Sequence, residues 1–172
     1  MMLNGDGGLQ ISYGSLQLSD GALWSGDLEH DRLPEEVAVY FAKNGDPGQR
    51  YGVASNERAP QHVLRRLLDD LEPGVWGSVL MNRATSTETL EIAASLHPDS
   101  DGIIGNHLNA STERMRRLRG SYVVGAQFDV FFERVSASEA ERALLHKAID
   151  ELDNRATLGA AWDTVRPPPQ IE

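Results

Sequence analysis

Apolar positions along this chain follow two different spacings. Near the start they alternate, at Leu9, Ile11 and Tyr13, then at Leu16 and Leu18 after Gly14-Ser15. Period-two patterning around a glycine-first loop predicts a β-hairpin. Ala22-Leu23-Trp24, following Asp20-Gly21, is a candidate third strand. Further on the spacing becomes three and four, as at Val63, Leu64, Leu67, Leu68 and Leu71, which predicts amphipathic helix. A similar stripe runs through Val124, Phe128, Phe131, Phe132 and Val135 and reads as core. Ser136 and Glu139 then fit a capping box, opening a helix that ends near Leu152.

The helical part repeats. Pro34-Glu35-Glu36-Val37 returns 26 residues later as Pro60-Gln61-His62-Val63, again 26 later as Ser86-Thr87-Glu88-Thr89, and 25 later as Ser111-Thr112-Glu113-Arg114. Asp46-Pro47, Glu72-Pro73 and His97-Pro98 keep the same phase. So do Val53-Ala54-Ser55-Asn56, Val79-Leu80-Met81-Asn82 and Ile104-Gly105-Asn106-His107. Pro or Ser opens each helix, and a second Pro stops it in a polar turn such as Glu72-Pro73-Gly74. A shorter apolar segment such as Val75 to Leu80 follows, and an Asn then turns the chain through its own backbone. One such unit cannot bury its apolar face alone, whereas stacked neighbours can. Ser136, 25 residues past Ser111, opens a degenerate fifth unit on this reading.

The string running from Val53-Ala54-Ser55-Asn56 through Pro60, Val63, Leu64 and Leu67 resembles the leucine-rich repeat variant family. Val79 through Leu90 and Ile104 through Leu118 are further copies, the last with His107 in place of Asn, and the resemblance spans roughly residues 30–120. It implies a mainly α fold: a right-handed solenoid of alternating α- and 3₁₀-helices, related to HEAT and armadillo arrays, with about 4–5 units of 25–26 residues. Residues 1–28 then form a β-hairpin cap, 29–120 the repeats, 121–165 a helical C-terminal cap and 166–172 a proline-rich tail. The family has no single activity, so the resemblance informs fold more than function.

Composition narrows the chemistry. The absence of cysteine removes disulfides, thiolate metal sites, iron–sulfur ligation and cysteine nucleophiles. No apolar run approaches the length of about 20 residues that spans a bilayer, and the N-terminus lacks a basic, apolar leader, so the expectation is a soluble, cytoplasmic protein with no membrane partner. His30, His62, His97, His107 and His146 show no metal-ligand spacing, and His30 and His107 fall at the turn Asn of the repeat. No phosphate-cradling glycine loop or nucleophile elbow is present, which leaves no catalytic residue, metal or cofactor to nominate.

What remains is binding. The register aligns Arg50, Trp76 and Asp101, and with Tyr51 these make a candidate partner-binding ridge. Trp76 either stands on that ridge or folds over the next unit. Arg65-Arg66 and Arg116-Arg117 occupy equivalent places two units apart, a candidate nucleic-acid stripe of the HEAT-like kind. Against it stand Glu91 at the intervening position and a net charge of −10. That charge suits instead an acidic inhibitor or immunity-type protein that neutralises a basic partner such as a nuclease. The reading that best joins these features is a non-catalytic protein-interaction module, a scaffold or adaptor.

Overall fold

The computed structural model describes residues 2–3, 9–13, 16–19, 25–30, 33–152 and 156–168, with only the backbone described through residue 25 and at Asp27 and His30. The architecture is mainly helical, and the chain divides into two compact units, Met1–Thr85 and Ser86–Glu172. The division, between Thr85 and Ser86, falls inside the 29–120 span.

In the first unit, β1 (Met2–Leu3), β2 (Leu9–Tyr13) and β3 (Leu16–Ser19) pair antiparallel in that order, with Ile11 opposite Leu18. The loop at 14–15, the candidate strand Ala22-Leu23-Trp24 and the side chains that a capping role needs lie outside the described residues. The helices are α1 (Ser25–His30), α2 (Glu35–Asn44), α3 (Pro47–Ser55), α4 (Gln61–Leu67) and α5 (Pro73–Met81). α3 packs between α1 and α5, while α2 packs on α4. Pro34 and Pro60 are the N-caps of α2 and α4, where a missing N–H costs nothing.

One expectation is corrected here. Pro47 and Pro73 do not merely stop the preceding helix: each is the first residue of a new one. Asp46 caps α3 by accepting from the Gln49 N–H, and the Gln49 side chain accepts in return from the Asp46 N–H. The segments expected to be short 3₁₀ turns are therefore nine-residue α-helices, longer than the seven-residue α4. Proline's fixed φ suits a helix start as well as a stop, and sequence spacing alone does not separate the two.

Burial keeps the sequence period. Ala38 and Leu64 are equivalent and fully buried, as are Phe41 with Leu67, Val53 with Val79, and Leu28 with Ala54 and Leu80.

The second unit holds α6 (Thr87–Leu96), a 3₁₀ turn at Pro98–Ser100, α7 (Asp101–Gly105), α8 (Thr112–Arg117), a second 3₁₀ turn at Gly120–Tyr122, α9 (Gly125–Arg134), α10 (Glu139–Glu151) and α11 (Leu158–Val165). Ser86 and Ser111 cap α6 and α8 through their hydroxyls, at the positions the repeat assigns. Leu90, Ala93, Ile104 and Met115 continue the buried positions. Beyond them a separate cluster gathers Met115, Leu118, Phe131, Phe132, Leu145, Leu158 and Trp162, with Phe131 edge-on to Trp162 at 5.6 Å.

Two further corrections concern this end. The capping box of α10 is Ser138 with Glu141, not Ser136 with Glu139. Ser136 instead ends α9 at φ 50°, where its N–H reaches the Glu133 carbonyl and the Ala137 N–H reaches the Phe132 carbonyl. This is the left-handed C-terminal stop that glycine normally occupies. It buries Ala137 and moves the next cap two residues on. The second correction is Arg166, expected in an extended tail. Its guanidinium bonds both oxygens of Glu141 at 2.7 Å, reaches the Val135 carbonyl at 2.7 Å and stacks over Trp162. α11 returns against α8 so closely that a Cβ on Gly159 would sit 2.9 Å from the Arg116 carbonyl. Among the described residues no helix is long and apolar enough to cross a membrane.

Candidate interaction surface

The contacts between helices determine which polar side chains are already engaged within the chain. In the first unit the turn asparagines are buried and fully engaged. Asn56 donates to the Leu28 carbonyl at 2.7 Å and accepts from the Arg58 N–H at 2.8 Å. Asn82 donates to the Ala54 and Asn56 carbonyls at 2.8 and 2.9 Å and accepts from the Ala84 N–H at 2.9 Å. Each asparagine thus closes its own turn and also satisfies backbone carbonyls one repeat earlier. The first role is legible in sequence; the second needs the neighbouring repeat in place. His107 follows the same geometry, its Nδ1 accepting from the Asn109 N–H at 3.0 Å, which explains a histidine at this position without a metal. The His30 side chain, expected to play the same part, lies outside the described residues.

Arg50, expected on the ridge, is spent inside the fold. It forks onto Asp70 at 2.6 and 3.1 Å and donates to the Gly45 carbonyl at 2.8 Å. Burial is the largest influence on the Asp70 carboxyl and pushes its pKa up, but the Arg50 hydrogen bond, the Glu72 N–H and the Arg50 charge together hold it below the ordinary value. Asp101 lies in the second unit and pairs with Arg114. Arg114 also bonds Glu91 at 2.8 Å, and Glu91 accepts from the Ser111 hydroxyl at 2.9 Å. The Arg114 hydrogen bond is the main reason that the Glu91 carboxyl titrates below its usual range.

The arginine stripe is also partly occupied. Arg116 binds Asp163 through both carboxylate oxygens at 2.7 and 2.8 Å, and Arg117 reaches Glu113 at 3.5 Å. Arg65, half-buried, and Arg66, exposed, lie on α4 in the other unit. Phosphate binding needs concentrated free cations, and these carboxylates reduce that concentration.

Of the ridge residues, Tyr51 is exposed and Trp76 is half-buried. The residues around them form a feature that sequence reading did not isolate. The exposed positions of α3 are Pro47, Gly48 and Tyr51, and those of the adjacent α5 are Pro73, Gly74 and Met81, while Gln49, Arg50, Ser55, Trp76 and Gly77 are half-buried. None of the exposed positions carries a charge, although 24% of the chain is charged, and the half-buried Arg50 is paired with Asp70. Met81 is 72% exposed. The signal was available in the repeat alignment, where Tyr51 matches Gly77 and Ser55 matches Met81.

A cavity of about 580 Å³ on the same unit is open and lined by Leu33, Glu35, Arg58 and Pro60. His62 lies 3.6 Å from Glu35, both of them solvated, so this is a surface contact of little weight. Among the described residues no group of three His, Asp or Glu side chains is placed to hold a metal ion. Compared with known proteins, the chain matches no family model, no curated protein and no solved structure.

Proposed function

We propose that the chain is a non-catalytic protein-interaction module, built as a helical repeat stack of the leucine-rich-repeat-variant kind with terminal caps, and that it binds through the outward face of α3 and α5. The observation that carries this reading is the uncharged face itself, Tyr51, Met81 and the small residues between them, on a chain of net charge −10. Exposed aromatic and Met side chains on a rigid, charge-free surface are the usual anchors of protein interfaces. Arg50 and Asp101 are each paired with a side chain of the same unit, which weighs against a direct contact with the partner.

Affinity capture from native lysate with wild type and with Tyr51→Ala/Met81→Asp tests this. A protein retained by wild type at raised salt and lost with the double variant is the expected result. Equal retention by both removes the face from the interface. The acidic-inhibitor reading rests on net charge alone; it expects retention to vanish with salt and to ignore the double variant.

A further inference from the structure

We draw no further inference here: the strongest candidate, the exposed apolar side chains Ile92 and Leu96 on α6 and Ile103 on the adjacent α7, carries nothing because nothing in the structure shows what covers it.

Discussion

The two units share a sequence period but differ in the polar contacts that join their helices. In Met1–Thr85 the joint is a buried amide ladder, Asn56 onto Leu28 and Asn82 onto Ala54 and Asn56, with carbonyls as the acceptors. In Ser86–Glu172 His107 takes the register position of those asparagines, and a separate charged cluster joins Glu91 with Ser111 and Arg114, and Arg114 with Asp101. Glu91 and Asp101 are close to half-exposed. A buried neutral ladder depends on desolvation and hydrogen bonding and is indifferent to salt and acid. A half-exposed ion cluster is screened by salt and lost with carboxylate protonation. One period in a sequence thus recurs across helices whose polar contacts differ in chemistry.

The largest expected effect follows from breaking the ladder. Asn82→Ala leaves two carbonyls and the Ala84 N–H without their partner, a loss of about 3 kcal/mol read by urea unfolding, with no dependence on salt. Arg114→Ala breaks the other joint. Its expected cost is about 1–2 kcal/mol, because Glu91 and Asp101 can turn to water, and it shrinks as salt is raised. A salt-dependent Asn82→Ala or a salt-independent Arg114→Ala would erase the distinction.

Ser136→Gly is expected to stabilise the chain by about 1 kcal/mol, since glycine holds φ 50° without strain. The smallest effect belongs to Glu141, whose carboxyl the Arg166 hydrogen bond, aided by Ser138, holds down from 4.5 to about 2. A depressed carboxylate contributes stability that is complete above its unfolded pKa and is lost as pH falls through its folded one. Glu141→Gln should therefore lower the neutral plateau slightly, the pair being exposed, flatten the acid limb between pH 4.5 and about 2, and leave stability below that range unchanged. Glu91, with the same direction of shift, adds to that limb, whereas the asparagine ladder does not.

What was legible in the sequence was whatever depends on one repeat at a time. Pro34, Pro60, Ser86 and Ser111 cap helices where the period places them, and Val53, Val79 and Ile104 are buried in phase. What was not legible depends on a neighbour. The donors of Asn56 and Asn82 find carbonyls a repeat away, and Arg50 finds Asp70 twenty positions on. Pro47 and Pro73 fit both a stop and a start, and only the following hydrogen bonds decide. The 121–165 helical cap includes α11 without separating it, although Leu158, Ala161, Trp162 and Val165 have helical spacing and Thr157 a capping hydroxyl. The short span of α11 offered too few turns to stand out from the proline-rich end. The candidate face escaped because a run of uncharged small residues reads as loop until two helices set it side by side.

Central to the proposal is that residues 34–59 and 60–85 act as interchangeable units of one stack. The most direct test is equilibrium urea unfolding of a chain in which residues 60–85 are duplicated in tandem. A stack accepts the extra unit: unfolding stays cooperative, with the m-value and midpoint both raised. A lower midpoint, or the loss of a cooperative transition, would contradict the repeat account and leave the period a coincidence of sequence.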